Sequence, residues 1–186
     1  MKGVNALKAE AAVNKYLKTV LDSIQDIPGV AMEFGVYEGG TTVDIAKLLG
    51  RITYAWDTFL GMPDDRYDSE LDKSDPPGKW KPLNDPIREF EEYNTVCGCD
   101  IRPVVGKFSD TIPTFNDSTP IAFVHIDCDN YYAYTLVLEF ITPRMTPGGL
   151  VVIDDYGCFG AKKAVDEWFA RTGRTWEDEK IHSVRF

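Results

Sequence analysis

Glu33-Phe-Gly-Val-Tyr-Glu-Gly-Gly-Thr-Thr42 runs from an apolar strand into a glycine-rich turn and on into a helix. In α/β sheets that junction is where nucleotides are held, against the helix N-terminus. Val152-Ile-Asp-Asp-Tyr156 is a second apolar strand, and its end carries two adjacent carboxylates. Asp127 and Asp129 end a third strand between them. Carboxylates collected at the carboxyl edge of a parallel sheet, beside such a turn, point to a divalent metal next to a cofactor.

Outward from these segments the chain alternates. In residues 1–27, Val13, Tyr16, Leu17, Val20, Leu21 and Ile24 recur at three- and four-residue steps, which predicts an amphipathic helix stopped by Pro28-Gly29. Val30 to Val36 reads as a buried strand, Thr41 to Leu49 as a helix ended by Gly50, and Ile52 to Asp57 as a short strand. Residues 61–86 carry Pro, Asp, Lys and Gly without useful periodicity, and a segment of that length is more often a lid than a plain connection. Pro86 and Gly98 bracket a helix. Ile101 to Val105 and Ile121 to Asp127 read as strands, Tyr131 to Thr142 as a helix, Gly149 to Asp154 as a strand and Ala161 to Thr172 as a helix. Residues 174–186 have room for one or two terminal strands. The expected fold is α/β, one domain over 1–186 with a mostly parallel sheet and helices on both faces.

Composition narrows the function classes. The chain has 30 Asp+Glu against 20 Lys+Arg, a formal net charge of −10, and no Lys/Arg-rich run. That balance argues against a nucleic-acid backbone as partner, because phosphates need clustered cations. No basic segment precedes an apolar core at the N-terminus, and no apolar run approaches the roughly 20 residues of a membrane span. Cys97, Cys99, Cys128 and Cys158 lack metal-ligand spacing, so free thiols in a reducing cytoplasm are expected. The apolar stripe of the first helix could pack on the sheet or on a second copy, which leaves a homo-oligomer open.

The glycine turn suits a particular kind of ligand. Gly35 and Gly39-Gly40 let the backbone approach closely, and Thr41-Thr42 are candidate caps for the helix. The spacing is Gly-x-x-x-Gly-Gly, not the dinucleotide Gly-x-Gly-x-x-Gly, and no phosphate-loop lysine follows. With Glu33 before it, the turn fits a ligand bearing an ammonium and no phosphate, such as S-adenosylmethionine; the alternative is a tight turn and nothing more. Asp57, roughly twenty residues on, can accept both hydroxyls of a ribose, or else cap a turn with Thr58. Asp57, Asp127 and Asp154-Asp155 reach one sheet edge, where like charges cost free energy unless a cation or proton intervenes. Oxygen donors suit Mg²⁺; the alternative is that one or two of these residues cap helices.

Five ordered motifs then carry a resemblance. Glu33 to Thr41, Tyr54-Ala-Trp-Asp-Thr-Phe-Leu-Gly-Met-Pro63, Val105-Gly-Lys-Phe-Ser-Asp-Thr-Ile-Pro113, Ile126-Asp-Cys-Asp-Asn-Tyr131 and Thr146 to Gly157 together resemble the macrocin O-methyltransferase (TylF-type) family. More distantly the chain is similar to metal-dependent catechol O-methyltransferases. The resemblance spans roughly residues 30–172 and implies a Rossmann-like S-adenosylmethionine methyltransferase fold, usually of seven strands with the last antiparallel. It implies that Glu33, Gly35, Tyr37, Gly39 and Thr41 surround the methionine part of the cofactor, Asp57 the ribose, and Phe108 with Ser109 the adenine. It places Mg²⁺ on Asp127, Asp154 and Asp155, with Asp127 also beside the cofactor, and makes Asp127 and Asp129 the catalytic pair, Asp129 as general base.

Three departures bear on the acceptor. The chain is shorter than typical sugar-modifying members and is expected to lack much of their N-terminal lid and dimerisation region. Asn130 stands where the catechol enzymes supply a lysine base, and Tyr131-Tyr132 replaces the usual Tyr-Glu or similar pair. The expected activity is Mg²⁺-assisted methyl transfer to a hydroxyl of a small molecule, a sugar or other diol, with Met62, Tyr67 and Trp80 offering apolar surface from the lid. The competing expectations are a non-catalytic S-adenosylmethionine-binding module and, further off, a nicotinamide-dependent oxidoreductase, which the glycine spacing disfavours.

Overall fold

Every residue of Val30–Phe34 is buried, because helices cover both faces of the strand they form. The computed structural model describes residues 15–64 and 66–186. Along the chain lie α1 (Lys15–Asp22), β1 (Val30–Phe34), α2 (Gly40–Leu49), β2 (Thr53–Asp57), α3 (Pro86–Cys97), β3 (Ile101–Val105), α4 (Phe108–Thr111), β4 (Ile121–Ile126), α5 (Tyr131–Ile141), β5 (Met145–Ile153), α6 (Phe159–Thr172) and β6 (Ser183–Arg185). A 3₁₀ turn, Ile112–Thr114, follows α4. The strands form one sheet in the order β3-β2-β1-β4-β5-β6, parallel except for the β5–β6 pair.

Alternation of side chains sorts the core by face even though the strands read as continuous apolar runs. Met32, Phe34, Trp56 and Ile126 pack with Tyr134 and Val137 of α5 and Val165 and Trp168 of α6. Ala31, Phe123 and Val152 point the other way, onto Leu17 and Leu21 of α1 and Ile45 of α2. Of the helix expected over 1–27, Val13 lies outside the described residues. The helix ends at Asp22, and Leu17, Val20, Leu21 and Ile24 are buried against the sheet. The Arg51 guanidinium satisfies carbonyls of the turn that follows, those of Gln25 and Ile27 at 2.8 and 2.6 Å.

Six strands are found among the described residues where the resemblance implies seven, and the last is antiparallel as expected. The chain winds outward from β1 to β3, then crosses back to place β4 on the other side of β1. That reversal opens a crevice beyond the carboxyl ends of β1 and β4, the usual ligand position in such sheets. Gly35 makes the approach of these two ends feasible. It sits at φ 85°, and a Cβ there would lie 1.7 Å from the Asp127 carbonyl oxygen. No helix among the described residues is long and apolar enough to cross a membrane.

Candidate active site

A cavity of about 330 Å³ fills this crevice. Its floor is Gly35 and Tyr37 after β1, Asp57 at the end of β2, Phe108 and Ser109 after β3, Asp127 to Asn130 after β4, and Asp154-Asp155 after β5. The expected sites Gly35, Tyr37, Asp57, Phe108, Ser109, Asp127, Asp129, Asp154 and Asp155 therefore meet in one place. Glu33, Gly39 and Thr41 are not part of the wall.

Glu33 is buried on the opposite side of β1. Its carboxylate accepts from the Thr42 hydroxyl and lies 2.9 Å from Nδ1 of His125. The alternation that sends Phe34 to one face sends Glu33 to the other, a consequence of strand geometry that the motif conceals. Thr42 is thereby committed to Glu33, and the N-cap of α2 is Gly39, which is left-handed and supplies no side-chain cap. Gly39 packs under the Phe90 ring, where a Cβ would come within 2.5 Å.

Asp57 ties the end of β2 to the turn after β1. Oδ2 accepts the Val36 and Tyr37 amides at 2.7 and 2.9 Å, and Oδ1 accepts the Phe59 amide at 2.8 Å. Tyr37 is held at φ 50°, a strained region for a residue with a Cβ. A carboxylate has about four acceptor positions, so these three amides leave capacity on the cavity side. Phe108 begins α4, a short helix that the sequence reading had not anticipated, and its ring meets Phe34 edge-on at 5.4 Å.

One carboxylate oxygen from each of Asp127, Asp154 and Asp155 lies within 4.8 Å of the others. Burial, then the Asp155 charge, pushes the Asp127 carboxyl up to about 7. Asp129 is pushed up to about 8 by burial and by Asp155 and Asp75, and burial also raises Asp155. Asp127 and Asp155 are partly buried and Asp154 is exposed, and three oxygen donors this close, with charges that repel, make a donor set that a hard divalent cation fits.

The segment 61–86 folds over the cavity as a loop closed at its neck. Met62 donates to the Lys79 carbonyl at 2.7 Å and Gly78 to the Met62 carbonyl at 2.8 Å. Met62, Pro63 and Trp80 line the cavity, whereas Tyr67 does not. Two buried aspartates that sequence reasoning passed over hold the loop. Asp72 accepts the Tyr131 amide at the start of α5 at 2.9 Å. Asp75 accepts from Lys79 Nζ and Trp80 Nε1 at 2.7 and 2.8 Å, and these donors, against the effect of burial, keep its carboxyl below the ordinary range. Asp75 also comes within 4.8 Å of Asp129 and Cys158, so the loop reaches the candidate base. Asn130, in the place of the catechol-type lysine, caps α5 by accepting the Ala133 amide at 2.7 Å.

The sequence profile of the macrocin-O-methyltransferase (TylF) family matches residues 8–183. The chain is 31% identical over 159 residues to a tetracenomycin-C derivative 4'-O-methyltransferase of Streptomyces olivaceus, across 79% of this chain and 60% of that protein. It is 29% identical over 179 residues to mycinamicin III 3''-O-methyltransferase of Micromonospora griseorubida, across 87% of this chain and 68% of that one. The chain thus spans about 60% of the length of the first of these relatives. Among solved structures, the calicheamicin methyltransferase CalS11 superposes with a TM-score of 0.76 at 24% identity, over 97% of this chain and 81% of that one. The O-methyltransferase NovP superposes with a TM-score of 0.74 at 24% identity, over 91% and 76%. These two likenesses establish the fold, a Rossmann-like methyltransferase sheet.

Proposed function

The chain belongs to the macrocin-O-methyltransferase (TylF) family, and on that footing we propose that it is an S-adenosylmethionine-dependent O-methyltransferase acting on a hydroxyl of a sugar carried by a small molecule. The observation that carries this reading is the single cavity in which the turn after β1, Asp57 and the Asp127–Asp154–Asp155 cluster come together. The sugar acceptor is suggested by the relatives, whose names give 4'-O-methylation of a rhamnosyl-bearing tetracenomycin in one case and 3''-O-methylation of mycinamicin III in the other.

S-adenosylmethionine would supply an electrophilic methyl with a good leaving group, and Mg²⁺ on the three carboxylates would lower the pKa of an acceptor hydroxyl and orient it. The chain's own residues divide the remaining work. Asp57 and Tyr37 bound the ribose and methionine parts, and Phe108 with Ser109 the adenine. Asp129 faces the cavity beside the cluster and would take the proton of an acceptor hydroxyl held there. Its raised pKa suits a base near neutral pH. Segment 61–86 acts as a lid, keeping water from the reacting groups with Met62, Pro63 and Trp80. The four free thiols fit a reducing cytoplasm.

Calorimetric titration with S-adenosylmethionine in the presence of Mg²⁺ tests the core of this proposal. Micromolar binding that Asp57→Ala abolishes, followed by methylation of a rhamnose-bearing acceptor, is the expected result. An absence of binding by the unaltered chain would overturn it.

A further inference from the structure

The phenol of Tyr134 sits beneath the carboxylate cluster, where the ends of β4 and β5 meet. Tyr134 lies near the start of α5 and is fully buried. Its hydroxyl is 2.9 Å from the Ile126 carbonyl and 3.0 Å from Oδ2 of Asp155, and it accepts the Asp155 amide at 3.3 Å. A phenol has one proton to give, and of the two acceptors within reach the charged Asp155 carboxylate is stronger than the Ile126 carbonyl, which also accepts the Asp154 amide at 2.9 Å. The same Oδ2 also accepts the Asp129 amide, at 2.9 Å, from a backbone held at φ 63°. Two donors from different elements fix the plane of one carboxylate, and with it the direction in which Asp155 offers its remaining lone pairs toward Asp127 and Asp154.

We propose that Tyr134 is a positioning residue for a divalent cation at Asp127, Asp154 and Asp155, setting the orientation of Asp155 without touching the ion. This rests on the metal reading of the site proposed above. Groups that orient metal ligands contribute to affinity even though they make no bond to the metal, because a carboxylate free to rotate must be ordered when the ion binds.

Mn²⁺ binding to the full chain, followed by electron paramagnetic resonance of the free ion, tests the inference apart from activity. Tyr134→Phe deletes one oxygen and should weaken Mn²⁺ binding by about 10-fold or more. Tyr54→Phe, which removes a hydroxyl bonded to Asp117 away from the cluster, should leave it unchanged. Equal Mn²⁺ affinity in the unaltered chain and Tyr134→Phe would overturn the positioning role while leaving the metal reading intact. No Mn²⁺ binding by the unaltered chain would overturn both. Should Tyr134→Phe fail to fold, the unaltered chain still decides: the slowly exchanging hydroxyl proton of Tyr134 should shift on adding Mg²⁺, and an unmoved resonance would count against the role.

Discussion

The indole N–H of Trp80 donates to the buried Asp75 carboxylate at 2.8 Å, and the Trp80 ring stands edge-on to that of Tyr37, 5.6 Å away. A residue of segment 61–86 and a residue of the turn after β1 thus meet at the cavity, both in left-handed backbone. Trp80→Ala should remove that wall and raise the acceptor KM by roughly 10-fold, equivalent to about 1.4 kcal/mol. Asp75→Ala, which frees the indole, should act in the same direction. S-adenosylmethionine affinity should change little in either variant. Steady-state kinetics with calorimetry of the cofactor would separate the two effects, and a parallel loss of cofactor affinity would place Trp80 against the cofactor instead.

The buried pair of Glu33 and His125 predicts a stability effect. Burial pulls the imidazole's pKa down, but the Glu33 hydrogen bond and charge outweigh it and hold His125 above its ordinary value. Glu33→Gln leaves the imidazole without its anion and should cost on the order of 3 kcal/mol. That loss corresponds to a melting temperature lower by roughly 6–12 °C in a chain of this size. Thermal denaturation at pH 6 measures it; an unchanged melting temperature would mean that His125 is neutral in the fold.

The raised carboxyls set a pH dependence. Asp127 and Asp129, near 7 and 8 in the folded chain, keep protons that the unfolded chain releases near 4. The folded state binds more protons in that interval, so stability falls as pH rises from about 4 to about 8. The raised pKa of His125 contributes in the same sense. Without divalent cation the melting temperature should decline between pH 5.5 and 8, and added Mg²⁺ should restore more at pH 8 than at pH 5.5. A melting temperature that climbs over this range and ignores Mg²⁺ would contradict the account.

Gly35→Ala tests the meeting of β1 and β4. The added Cβ would lie 1.7 Å from one backbone atom of Asp127 and 2.5 Å from another, at φ 85°. Backbone cannot yield as a flexible side chain does, so a destabilisation of about 3 kcal/mol or more is expected in urea unfolding. Gly40→Ala is the control, since nothing lies within 4 Å of a Cβ there.

The sheet was legible because its strands are apolar runs bounded by Gly, Pro and Asp. Pro86 and Gly98 flank the third helix just as the composition implied, with Gly98 left-handed. The aspartates at strand ends were legible too, since a strand's last residue marks the sheet edge whatever its neighbours do. Glu33 follows the same periodicity: one residue inside the strand end, its side chain is directed by parity to the face that carries His125. Asp72 and Asp75 had no signature at all. They sit among other acidic residues of an irregular segment, and only tertiary structure distinguishes a carboxylate buried on an amide or an indole from one in water. Helix α4 escaped notice because four residues are too few to display a period.

The hydrogen bonds between Met62 and the Lys79–Gly78 stretch bring the two ends of the loop over the cavity together. Loop closure depends only weakly on contour length once the ends are paired. Beyond that neck the loop's fixed points are Asp72 and Asp75, whose carboxylates hold the Tyr131 amide and the Trp80 indole. Changes of length between the neck and these two anchors could reshape the cavity mouth while the strand ends beneath stayed in register.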